Sequence, residues 1–433
     1  MDTVQTLNNL GLVEMLNGIE AGDFTACDII NACFDQIDAR ETDVGAWQFK
    51  LSREDYLAQY RQNVSYYQQS LLKGLPVGIK DIIDTKGMPT EMGSGIHTGR
   101  IPGDDATCVE LIKQAGGIVL GKTVTTEFAY FKPGKTKNPA DLSRTPGGSS
   151  SGSAAAVADN MVPITLGSQT AASVIRPAAY CGSIGYVASR GDFSLRGCQP
   201  LAQSLDSLGA YARRIEDLQF LRAILLRTSV DSQVLSANKP TKILFCSGEQ
   251  VGDVDPEMEQ ALKSVASTLA EQDVELVPLE DQGRIRRLVS CHETIMAWEV
   301  CRNLAKESLQ PESMSEPLQA LMKNGLAMSR ADFIAAQNEV SEIQAWLKAA
   351  TQGADAILAP AAPGVAPVGH EKTGAPHMSR PWQVLGLPTV TLSGVTNKDH
   401  LPLGLQLIGQ QRADEALLQI AKWCETVVDG VVV

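Results

Sequence analysis

Short, unbroken apolar runs that alternate with helical stretches constrain this 433-residue chain more than any other feature. Leu75-Pro-Val-Gly-Ile-Lys80 is one such run, and Gly116-Gly-Ile-Val-Leu-Gly121 is a second, following a helix expected over Thr107 to Ala115. Lys242–Cys246, Met258–Glu271 and Val274–Pro278 then read as strand, helix, strand. Ala356–Pro360, Thr389–Leu392 and Leu403–Ile408 read as late strands, with Ala413–Val427 as a closing helix. Runs that are apolar throughout, rather than every second residue, suit strands covered by helices on both faces, so the pattern predicts an α/β fold. The opening is helical: Leu10, Val13, Leu16 and Ile19, then Ile29, Ile30, Cys33 and Ile37, recur at helix spacing around a break at Gly22-Asp23. A charged, Gln-rich helix is expected from Arg53 to Leu72, and residues 284–350 are strongly helical. No repeat or low-complexity linker divides the chain. It reads as one domain, with a helical lead (1–72), a core (74–220), a strand-helix-strand and helical region (221–350) and C-terminal strands and helix (351–433).

Composition removes whole classes of function. With 37 basic and 50 acidic side chains the net charge is −13, the wrong sign for a nucleic-acid partner. No run approaches the 18 apolar residues of a membrane span. Met1 to Glu14 holds Asp2 and no Lys or Arg, unlike a secretory leader. The nine cysteines form no CxxC pair and read as reduced core thiols of a cytoplasmic protein.

Residues 132–153 form a long stretch of Gly, Pro, Ser, Thr and Asn without periodicity, and a loop of that length inside a compact domain is usually functional or disordered. It ends in Pro146-Gly-Gly-Ser-Ser-Ser-Gly-Ser153, ahead of an Ala-rich helix beginning near Ser153. Three readings compete: a flexible serine-rich turn, a phosphate cradle, and a nucleophile turn centred on Ser150 in G-x-S-x-G. The cradle lacks the Gly-Lys-Ser/Thr ending, and the nucleophile turn lacks a strand running into it. After the helix, Gly167–Gly182 is a second turn of small residues with Ser173 in its middle.

Together with Lys80-Asp81, these segments resemble the amidase signature family of Ser-Ser-Lys hydrolases. The likeness extends from Gly74–Asp81 and Gly87–Thr90 through Gly121–Ala129, Gly147–Arg190, Leu201–Asp206 and Ala212–Asp217 to Asp355–Pro360, Gly386-Leu-Pro388 and Leu401–Gly409. It implies one α/β/α domain around a large mixed, twisted sheet. It also implies Lys80 as base, Ser149 as a proton bridge after a cis peptide bond, and Ser173 as nucleophile. The oxyanion donors would be the backbone N–H groups of Thr170, Ala171, Ala172 and Ser173. No cofactor and no metal is implied; the partner is a small-molecule amide, with a homodimer left open.

The chemistry fits those residue types. A serine attacks an amide carbonyl only if a base takes its proton, and lysine can do so only when neutral, which burial among Leu75, Val77, Ile79, Ile82 and Ile83 would favour. Taken alone, Lys80 is a strand-end lysine and Ser173 a turn serine; their joint occurrence with Ser149 reverses that reading. Gln169 and Ala171-Ala172 stand where many members carry Asp and Gly-Gly, and arginine falls at Arg176 rather than at Ile175. The added methyls should narrow the acyl pocket. Arg176 is expected to hold backbone or an acidic group more than a substrate carboxylate. Cys291-His292-Glu293 has no second cluster to make a metal site, so His292 reads as structural, as does Cys181. Met296, Trp298, Leu321, Met322 and Met328 offer themselves as pocket lining, with helix packing the expected role of each. Two further classes remain: the amidase subunit of a tRNA-dependent amidotransferase, and a ligand-binding scaffold without catalysis.

Overall fold

A computed structural model describes residues 7–230 and 235–433; residues 1–6 of the expected helical lead, and of the reading against a leader, lie outside the described residues. Eleven strands form one sheet: β1 (Trp47–Lys50), β2 (Pro76–Lys80), β3 (Ile118–Thr123), β4 (Ile164–Gln169), β5 (Ile184–Val187), β6 (Ser207–Ala212), β7 (Lys242–Phe245), β8 (Glu275–Pro278), β9 (Ala356–Pro360), β10 (Thr389–Leu392) and β11 (Leu405–Ile408). Their order is β1-β3-β2-β4-β6-β5-β10-β11-β9-β7-β8. β2 runs parallel to β3 and β4, and β7 parallel to β8 and β9; the central strands from β4 to β9 pair antiparallel, so the sheet is mixed. The expected α/β architecture is present.

Local chemistry sets the element ends. The first long helix, Leu12–Ala21, stops at Gly22 with φ 79°, and Thr25 caps the next, Ala26–Val44, through a reciprocal bond pair with Asp28. The expected helix over 53–72 is two, Arg53–Gln62 and Val64–Gln69, broken at Asn63. Four strands escape the sequence reading: β1, β4, β5 and β6. In β4, β5 and β6 the apolar runs are interrupted by small residues, because other parts of the chain press against them. A Cβ on Gly167 would lie 2.9 Å from Ser150 Oγ. Gly167 to Gln169 therefore close a strand rather than open a turn, which begins at Thr170.

The strand order reverses between β2 and β4. The chain leaves β2 to form β3 on one side, then crosses to the other side for β4. Loops at the carboxyl ends of such a pair part and leave a crevice, the usual ligand position in sheets of this kind. The crossover is the buried helix Ser151–Ala158, built of Ser, Gly and Ala because it lies so close to the sheet. A side chain at Gly152 would come within 2.2 Å of Ala46 O and 2.4 Å of Val124 N.

Candidate active site

Lys80 ends β2 with its side chain fully buried. Its Nζ lies 2.6 Å from Ser149 Oγ, 2.9 Å from Ser168 Oγ and 3.4 Å from Ser168 O. Burial pulls its pKa from 10.5 down to about 7, against the opposing pull of Asp206 and Cys198. The neighbouring buried lysine, Lys122, differs: it sits 3.9 Å from the Asp81 carboxylate, with Thr90 Oγ1 at 2.7 Å. Lys80 has no carboxylate within ion-pair distance among the described residues. A neutral amine carries two N–H bonds and one lone pair. With the N–H bonds directed at the two Ser168 oxygens, the lone pair faces the Ser149 hydroxyl. Ser168 does not stand out in the sequence, since the small-residue segment holding it reads as a turn; its place on β4 puts it beside Lys80.

Ser149 follows a cis Gly148-Ser149 peptide bond at the end of the irregular loop. The Arg176 guanidinium fixes the carbonyl of that bond: Nη2 donates to Gly148 O at 2.6 Å, and Nη1 to Gly374 O at 2.9 Å. Arg176 thus holds backbone, as expected. Ser150, centre of the G-x-S-x-G match, is buried with its hydroxyl bonded to Ser168 O at 3.2 Å, turned toward β4.

The segment 170–173 turns from β4 into the helix Ile175–Cys181. Three side chains pin it. Thr170 Oγ1 donates to Asp206 Oδ1 at 2.5 Å. His292 Nε2 donates to Thr170 O at 2.7 Å, a carbonyl being only an acceptor. Gln169 Oε1 accepts from Val174 N and Ile175 N at 2.9 and 3.1 Å. Burial holds Asp206 up at about 7 and His292 down at about 3, so the imidazole is neutral. No acceptor among the described residues takes the N–H groups of Thr170, Ala171, Ala172 or Ser173.

Ser149, Ser173 and the turn line one cavity with Thr126, Tyr130, Met296 and Arg380. The structure thus brings Lys80 to Ser149, and Ser149 and Ser173 to a common wall. The Ser173 hydroxyl has no hydrogen-bond partner among the described residues, so the expected Ser149–Ser173 link is not formed here. Met296 packs in the buried core, as expected, and from the helix Gln282–Asn303 it also lines the cavity. Trp298 does pack, stacked on Phe333. Among the described residues no three His, Cys, Asp or Glu side chains gather as metal ligands, and no helix is long and apolar enough to cross a membrane.

Comparison with known proteins adds to this geometry. The family model described as Amidase matches residues 28–418. One glutamyl-tRNA(Gln) amidotransferase subunit, from Picosynechococcus sp., is 30% identical over 459 residues, covering 93% of this chain and 94% of that protein. The same subunit from Cyanothece sp. is 31% identical, covering 92% and 93%. A crystal structure of an amidase superposes with a TM-score of 0.87 at 25% identity, over 97% of this chain and all of that one. Fatty acid amide hydrolase shares the fold at a TM-score of 0.87 and 18% identity, over 98% of this chain and 85% of its own. On the family match and the matched fold together, this chain belongs to the amidase family.

Proposed function

We propose that the protein hydrolyses a small amide through an acyl-enzyme on Ser173. The observation that carries this reading is a buried lysine with no carboxylate partner among the described residues, 2.6 Å from a serine that shares a cavity wall with a second serine. Lys80, neutral near pH 7 and above, takes the Ser149 proton while Ser149 takes that of Ser173. Ser173 Oγ then bonds to the amide carbon, and the oxyanion meets the unpaired N–H groups of the turn. Collapse breaks the C–N bond, and the leaving amine receives its proton back through Ser149 from Lys80. Water repeats the sequence on the ester and releases the acid. The Ser149–Ser173 bond belongs to the substrate complex, where catalytic hydrogen bonds commonly tighten.

The cavity measures about 20 Å³, little more than one water. That supports a compact acyl group, bounded by Tyr130, Phe131 and Met296. The test is covalent labelling by a fluorophosphonate. The native chain should be labelled at Ser173, and Ser173→Ala should lose the label while keeping its circular dichroism. Labelling elsewhere, or unchanged in the variant, would overturn the assignment.

A second reading rests on the relatives, which are amidotransferase subunits at about 30% identity over nearly the whole chain. Under it, the same site would release ammonia from glutamine for a partner carrying charged tRNA. Gln169 and Ala171-Ala172, in place of the Asp and Gly-Gly common in the family, weigh against it. Glutamine-dependent ammonia release that appears only with a co-purified partner would establish this alternative over independent hydrolysis.

A further inference from the structure

The residue that departs from the family pattern at position 169 lies in a closed set of hydrogen bonds. Gln169 and Gln383 are both buried. Gln169 Oε1 faces two N–H donors, those of Val174 and Ile175, so this atom must be oxygen. Its Nε2 then faces Gln383 Oε1 at 2.9 Å. Gln383 Nε2 in turn faces Gln169 O at 3.1 Å, Leu205 O at 2.5 Å and Ser207 Oγ at 3.2 Å. Two of those three atoms are carbonyls, which only accept. Neither amide can flip without setting oxygen against oxygen, so the two side chains fix each other's orientation.

We propose that Gln169, oriented by Gln383, is a positioning residue for the Ser173 turn. It grips the chain one and two residues past Ser173 while the Thr170 end is held by Asp206 and His292. Fixing both ends decides where the four unpaired N–H groups and the Ser173 hydroxyl point. A carboxylate at 169 could take the same two N–H groups but has no hydrogen to give Gln383, so the Gln-Gln pair does as a neutral unit what a charged side chain would do with a different neighbour. This proposal rests on the assignment of Ser173 as nucleophile.

The experiment follows fluorophosphonate labelling of the full chain and separates the maximal inactivation rate, kinact, from the probe's apparent affinity, KI. Gln169→Met keeps the volume and removes the acceptor; kinact should fall about 100-fold, with KI within threefold, the cost of displacing reacting groups by about an ångström. Gln169→Glu restores the acceptor but not the donor, and should recover part of that loss. A side chain that served stability alone would lower the melting temperature in both variants without this order in kinact. Should Gln169→Met fail to fold, Gln383→Met tests the same point from outside the turn, with kinact expected to fall about tenfold. Native-like kinact in Gln169→Met, or a loss confined to KI, would overturn the positioning role while leaving Ser173 as nucleophile. A native chain that takes no label would remove the nucleophile and this proposal with it.

Discussion

Replacing Lys80 by methionine should make the protein more stable near neutral pH and less stable in alkali. The lysine is fully buried, and its pKa falls from 10.5 to about 7. A tenfold change in a protonation equilibrium is worth about 1.4 kcal/mol, so the displaced amine costs the folded state roughly 5 kcal/mol at pH 7 and below. Between pH 7 and 10.5 the unfolded chain still holds the proton that the folded chain has released. Native stability therefore rises with pH across that window, and the cost vanishes above it. Methionine fills much of the same space without the charge, but leaves the Ser149 and Ser168 hydroxyls without their amine partner. Two lost buried hydrogen bonds take back about 3 kcal/mol together. The net is a gain of about 2 kcal/mol at pH 7, turning into a loss of similar size by pH 10.5. Urea unfolding of both chains from pH 6 to 10.5 measures the difference, with fluorophosphonate labelling expected to be abolished in the variant throughout. A variant less stable than the native chain at pH 7, or a difference that does not change with pH, would refute a neutral Lys80 and the base role with it.

The labelling rate of the native chain should rise with pH through about 7 and level off above it, following release of the Lys80 proton; an optimum near pH 5 would contradict this. Arg176→Lys should label on the order of 100-fold more slowly, because an ammonium cannot reach the Gly148 and Gly374 carbonyls together as the planar guanidinium does. A lysine variant with the native rate would show that the grip on Gly148 O is dispensable.

The family resemblance is carried by segments whose chemistry is local. Lys80 closes an apolar strand, Ser149 follows a Gly pair, and Ser173 sits among small residues, each visible without tertiary information. Ser168, His292 and the Gln169–Gln383 pair are not legible as parts of the site. His292 lies on a helix more than a hundred residues from Thr170, and Gln383 more than two hundred residues from Gln169. No spacing or periodicity encodes such meetings; they depend on which helix packs over which strand end. The same cause hides β4, β5 and β6, whose glycines reflect neighbours pressing from elsewhere in the chain, such as Ser150 against Gly167.

The α/β rhythm, the polar residues able to move a proton, and the apolar surroundings that would strip Lys80 of its charge are all written locally, since each depends on neighbours along the chain. What holds those groups in place comes from long-range packing. The reversal of strand order between β2 and β4 opens the crevice, and side chains from two later helices and the approach to β6 fix the turn that faces it. A buried hydrogen bond is satisfied by whatever partner the fold brings within 3 Å, and that partner is chosen by packing, not by distance along the chain.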